Sequence, residues 1–118
     1  MITRSHRFHG YGSLRYIYRN GKTIRGPLNS LKYNINHRRK TYRLSIVVNK
    51  KVNKSAVVRN RIRRRVYEQY RLIEESINNP YDLVFTVFSD KINELTSDDL
   101  RKLVIAQLFQ AGVISSKS

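Results

Sequence analysis

No cysteine occurs in the chain, which excludes disulfides and thiolate metal sites and removes any need for an oxidising compartment. Acidic residues are missing from residues 1–67, so the clustered carboxylates that two-metal hydrolysis needs are absent where most of the cations lie. No apolar run approaches a membrane span or a signal-peptide core; the longest, Tyr81 to Phe88, is interrupted by Asp82 and Thr86. There is no glycine-rich phosphate cradle of the P-loop type and no internal repeat. Three scattered histidines without cysteine make no zinc site. The expectation is a soluble cytoplasmic protein with no membrane partner, no protein partner and no metal of its own.

What is present is positive charge on a foldable chain. The 118 residues are 40% hydrophobic, which fits one folded domain over 1–118, with 1–12 and 113–118 expected to be flexible. The net charge is +16, and residues 1–67 hold 19 of the 24 Lys and Arg and none of the 8 acids. Such asymmetry points to nucleic acid, because neutralised phosphates release counterions. An anionic membrane would need an exposed apolar face beside the cations, and here the core claims that face.

The centre of this arrangement runs from Lys50 to Tyr70. Read as a helix from Ser55, it places Val58, Ile62, Val66, Tyr70, Ile73 and Ile77 on one apolar stripe. With Ile62 facing the core, Arg61 and Arg65 fall on one flank and Arg63 on the other. Asn60 and Arg64 lie opposite, and Arg59 is nearer the stripe. Cations at a helix N-terminus oppose the macrodipole at roughly 0.3–1 kcal/mol each. A bound polyanion offsets that cost, and guanidinium suits forked phosphate oxygens and flat bases.

Ahead of this run, Ser13 caps a predicted short helix carrying Leu14, Ile17 and Tyr18 and closed by Asn20-Gly21. Thr23 to Arg25 reads as a very short strand. Leu28 to Ile35 alternates with Leu31, Tyr33 and Ile35 on one face, and Tyr42 to Val48 with Leu44, Ile46 and Val48 on one face. The basic turn His37 to Lys40 between them predicts an antiparallel pair. After Asn79-Pro80, Tyr81 to Phe88 reads as a central strand buried on both faces. Thr96 to Asp99 opens a last helix with Leu100, Leu103, Val104 and Leu108 inward, ending near Gly112. The string is α, β, β, β, α, β, α, an α+β domain with one mixed sheet.

The paired Lys50-Lys51, followed by Ala56-Val57-Val58-Arg59-Asn60-Arg61-Ile62-Arg63-Arg64, resembles the signature of the bacterial ribonuclease P protein subunit. The Arg7-Phe8 pair, the aromatic helix closed by Gly21 and the buried late strand extend the likeness over nearly the whole chain. The resemblance implies an αβββαβα domain with a left-handed βαβ crossover, like the second domain of a small-subunit ribosomal protein. It also implies a partner RNA that is the catalyst, a precursor tRNA substrate losing its 5′ leader, and magnesium (Mg2+) held mainly by that RNA. Carried over by position, Lys50, Lys51, Arg59, Asn60, Arg61, Arg63 and Arg64 lie against the RNA. Lys54 and Arg65 are added on charge. A cleft that receives the leader is implied to include Leu14, where an aromatic residue is usual, Tyr18, and either Lys32 or Tyr33. Four residues separate Lys51 from Ala56, with Asn53 where glycine is frequent.

Other chemistry is less well supported by the residues. Asp98 and Asp99 are helix-start acids. His6, His9 and His37 are read as surface or phosphate-contacting residues rather than an acid–base pair. A ribosomal-type RNA-binding protein with no part in cleavage shares the size and charge and stands as the alternative. No helix-turn-helix or dimer seam supports DNA binding.

Overall fold

The computed structural model describes residues 11–115, with side chains from Arg15 onward. Arg7-Phe8, His6, His9, the side chain of Leu14 and residues 116–118 lie outside the described residues. The elements are α1 (Tyr11–Asn20), β1 (Lys22–Arg25), β2 (Asn29–Ile35), β3 (Arg43–Val47), α2 (Ala56–Ile73), β4 (Tyr81–Val87) and α3 (Ser97–Ala111). Single 3-10 turns follow α2 (Glu74–Ser76) and β4 (Asp90–Glu94). The expected α+β string is found, but α1 begins at Tyr11, so Ser13 lies inside the helix and is not its cap.

The sheet order is β1-β2-β4-β3. β2 pairs antiparallel with β1 and with β4, and β3 pairs parallel with β4. The antiparallel β2–β3 pair expected from the sequence is therefore absent. β4 lies between them, because Leu83, Phe85 and Val87 on one face and Asp82 and Val84 on the other are all buried. A strand apolar on both faces gains most from two neighbours, whereas a short connection between β2 and β3 only keeps their ends close.

One face of the sheet carries the main core. Leu31, Leu44, Ile46, Leu83 and Phe85 pack there against Ile62, Val66 and Tyr70 of α2 and Leu100, Val104 and Leu108 of α3. The stripe read from the sequence is the one that is buried, although α2 ends at Ile73 and Ile77 reaches the core only after the 3-10 turn. Asn29 and Gln107 exchange two amide hydrogen bonds inside this layer, at 2.9 and 3.0 Å. The other face is covered by α1, whose Ile17 packs on Val84 with Val47 beside it. Gly21 lets the chain turn tightly out of α1 beside β2, since a Cβ there would lie 2.6 Å from the Ile17 carbonyl oxygen and 3.1 Å from that of Tyr33.

The C-terminal end corrects a second expectation. Val113 and Ile114 are buried rather than frayed. Gly112 takes the left-handed conformation at φ 78°, and the Val113 N–H donates to the Leu108 carbonyl at 2.9 Å. Such a glycine cap turns the chain back so that the next apolar residues return to the core.

Two core tyrosines give the fold a defined alkaline limit. Burial, and then the Glu74 carboxylate to which its hydroxyl donates at 2.9 Å, push the Tyr42 pKa far above 10.0. Burial alone does the same for Tyr70. Both stay protonated in the native state after the unfolded chain has begun to titrate. Their contribution is thus intact below pH 10 and lost above it, at about 1.4 kcal/mol per pH unit for each tyrosine. Urea unfolding should give a flat stability up to pH 10 and a fall beyond it. The fall should be halved in Tyr70→Phe, and an unaltered slope in that variant would contradict the assignment.

Candidate nucleic-acid interface

The segment from β3 into α2 is held in one shape by its own backbone partners. Asn49 Oδ1 accepts from Lys51 N at 3.0 Å and Asn53 Oδ1 from Ser55 N at 2.8 Å. Ser55 caps α2 by accepting from Val58 N at 3.3 Å. Asn53 Nδ2 donates to Asp90 at 3.0 Å, tying this loop to the turn after β4. Glycine at position 53 could not make either side-chain bond.

The arginines of α2 divide into two groups. Arg59 and Arg65, about 60° from the stripe, turn inward, and so does Arg63 at about 100°, whereas Arg61 at the same angle on the other flank stays outward. Arg59 donates to the carbonyls of Asn53 and Lys54, both at 2.9 Å. Arg63 donates to the Val48 carbonyl at 2.9 Å and to Asn60 Oδ1 at 2.7 Å. Arg65 donates to the Asn93 carbonyl at 2.6 Å and to that of Leu95, holding the 3-10 turn against α2. These three are half-buried, whereas Asn60, Arg61, Arg64, Lys50, Lys51 and Lys54 are exposed. Among the described residues no carboxylate pairs with Arg61, Arg64 or the three lysines. The result is a rigid cationic face with Arg59 and Arg63 as its braces and Arg65 fastened beneath it.

The residues expected to line a cleft are not all brought together. Lys32 alternates with Leu31 and therefore lies on the α1 face, with Nζ 5.9 Å from the centre of the Tyr18 ring and 3.0 Å from Thr23 Oγ1. Tyr33 points to the opposite face and packs on the main core. Geometry thus joins Tyr18 to Lys32 and leaves Tyr33 out.

Sequence reasoning missed one feature of this side entirely. Arg43 and Asp82 are register partners on β3 and β4 and form a bidentate pair at 2.8 Å. Asn36 Nδ2 adds a third bond to Asp82 at 3.1 Å. No periodicity reveals such a pair before the strand order is known. His37 is exposed beside it, and Asp98 and Asp99 open α3 as expected. Among the described residues no three His, Cys, Asp or Glu side chains gather. The Asp82 carboxylate is already bonded to Arg43 and Asn36, so no residue here is assigned to magnesium.

These observations define the class as a small α+β domain with one braced cationic face and a second face formed by α1 and the sheet. The sequence matches the Ribonuclease P family over residues 2–112. It is 38% identical to the ribonuclease P protein component of Clostridium botulinum over 100 residues, covering 84% of this chain and 87% of that one. It is 33% identical to that of Chloroflexus aurantiacus over 113 residues, covering 96% and 82%. The fold is similar to that of the Staphylococcus aureus RNase P protein, with a TM-score of 0.82 at 22% identity over 92% of this chain and 97% of that one. The Thermotoga maritima protein gives a TM-score of 0.74 at 23% identity over 82% and 89%. The chain belongs to the ribonuclease P protein family and is the protein subunit of that tRNA-processing ribonucleoprotein. That membership decides against the ribosomal-type alternative. No described helix is long and apolar enough to cross a membrane.

Proposed function

We propose that this subunit grips the ribonuclease P RNA with the face formed by Lys50, Lys51, Lys54, Asn60, Arg61 and Arg64, and receives the single-stranded 5′ leader of precursor tRNA between α1 and the sheet. The observation that carries the reading is the exposed cationic face, kept in one geometry by Arg59 and Arg63 and free of carboxylate partners among the described residues. A folded RNA offers phosphates and 2′-hydroxyls at fixed spacings, so a preset array of donors loses little entropy on binding. The leader is recognised differently. Its unpaired bases stack on Tyr18 while Lys32 neutralises phosphate.

In this reading the chain does no bond chemistry in the cytoplasm where it acts. Magnesium held by RNA phosphates would supply the activated water, and this subunit positions RNA and substrate and lowers the repulsion between them. The test is cleavage of precursor tRNA by a cognate ribonuclease P RNA at low magnesium. Added protein should accelerate release of the leader, and the protein alone should release none. Tyr18→Ala should weaken binding of leader-bearing tRNA about tenfold more than that of mature tRNA. Equal losses for the two substrates would return Tyr18 to a packing role.

A further inference from the structure

Residues two apart on a helix are turned by roughly 200°, so the two exposed tyrosines of α1 leave it in different directions. Tyr18 goes to Lys32. Tyr16, 59% exposed, walls an open cleft of about 460 Å³ whose opposite side is His37 and Arg38 and whose floor is Arg43 and Asp82. That volume lies within the range of small-ligand sites, roughly 300–1,000 Å³.

The loop forming the far wall is fixed in place. The Asn36 N–H donates to the Pro80 carbonyl at 2.9 Å, and the Arg39 N–H closes a turn onto the Asn36 carbonyl at 3.0 Å. Asn36 Oδ1 accepts from the Arg38 N–H at 3.1 Å, while its amide nitrogen holds Asp82. The Arg43–Asp82 pair makes the floor electrically neutral, so the walls contribute positive charge with no uncompensated carboxylate among them. An accessible ring on one side and an exposed guanidinium on the other match a flat base and the phosphate beside it.

We propose that this cleft is a second nucleotide subsite, which stacks one base of single-stranded RNA on Tyr16 and holds the adjoining phosphate with Arg38. It lies on the other side of α1 from the Tyr18–Lys32 face and uses none of the Arg-Asn-Arg helix. It rests on the reading that the subunit binds an unpaired strand. The two sites together would follow a strand passing across α1 rather than a single base.

Fluorescence anisotropy with the full chain tests it, using a labelled oligouridylate and, in parallel, the labelled ribonuclease P RNA. Tyr16→Ala and Arg38→Ala should each weaken oligouridylate binding roughly tenfold, and both should affect the folded RNA less. Tyr16→Phe should bind like wild type, because the ring remains. Lys102→Ala, an exposed cation on α3, should change neither affinity. Wild-type affinity in Tyr16→Ala, or a loss in Arg38→Ala no larger than in Lys102→Ala, would overturn the subsite while leaving the RNA-binding reading intact. Failure of the wild-type chain to bind the folded RNA would instead remove that reading. All three positions are exposed, so melting curves should be unchanged.

Discussion

Replacing Arg61 and Arg64 together by alanine is expected to lower affinity for the ribonuclease P RNA at least a hundredfold with no loss of thermal stability. Both side chains are exposed, and neither takes part in a hydrogen bond or ion pair among the described residues. A charge-assisted bond to phosphate contributes about 1.5–3 kcal/mol, so two of them amount to a factor of a hundred or more. Stability should hold or rise slightly, since two cations leave the N-terminal half of α2. Arg59→Ala and Arg63→Ala should behave differently. Each removes a brace on the lysine loop, so the affinity loss should come with faster amide exchange across residues 49–55. Equal exchange in all three variants would refute the division into contacts and braces.

Asp82→Ala should be the most damaging single change on the α1 side of the sheet, costing about 3–5 kcal/mol and lowering Tm by roughly 10–20 °C. It takes three hydrogen bonds from the junction of β2, β3 and β4 and removes the carboxylate partner of Arg43, whose side chain is only 15% exposed. Removing both partners should cost less than the sum of the two single changes, because the double variant leaves no buried charge behind. An Asp82→Ala loss below about 1 kcal/mol would show that the pair is solvated like a surface bridge. The same variant should loosen the Asn36 loop and with it the cleft beside Tyr16.

Much of this architecture was legible before any coordinates. The four-residue steps from Val58 to Tyr70 dictated which face of α2 is buried, and apolar residues on both faces of β4 marked a central strand. The acids and Thr96 at the start of α3 announced its first turn. What failed was long-range order. The connection after Ile35 read as a hairpin because proximity in sequence carries no information about a strand that arrives 46 residues later, as Asp82 does to meet Asn36. Val113 and Ile114 read as a tail because periodicity ends at Gly112, although a glycine cap followed by two apolar residues is itself a signal for return to the core.

The interface was legible in charge and only partly in geometry. Helical angles placed Asn60 and Arg64 opposite the stripe, where they are exposed, and Arg61, Arg63 and Arg65 on its flanks, of which only Arg61 is exposed. They placed Arg59 nearer the stripe, and the structure spends Arg59, Arg63 and Arg65 on backbone carbonyls. Counting charges treats all five arginines alike, whereas the fold leaves two exposed and bonds three to backbone carbonyls. The choice between Lys32 and Tyr33 was open because one gap in the match to the family shifts it; alternation already puts the two on opposite faces, and the position of α1 over the Lys32 face joins Lys32 to Tyr18.

The salt dependence of binding to the ribonuclease P RNA tests the central claim most directly. If the exposed face of Lys50, Lys51, Lys54, Arg61 and Arg64 neutralises phosphates, log affinity should fall steeply and linearly with log salt, and the slope should shrink by roughly 1.4–1.8 in Arg61→Ala/Arg64→Ala. A shallow wild-type slope, or the same slope in the double variant, would contradict it.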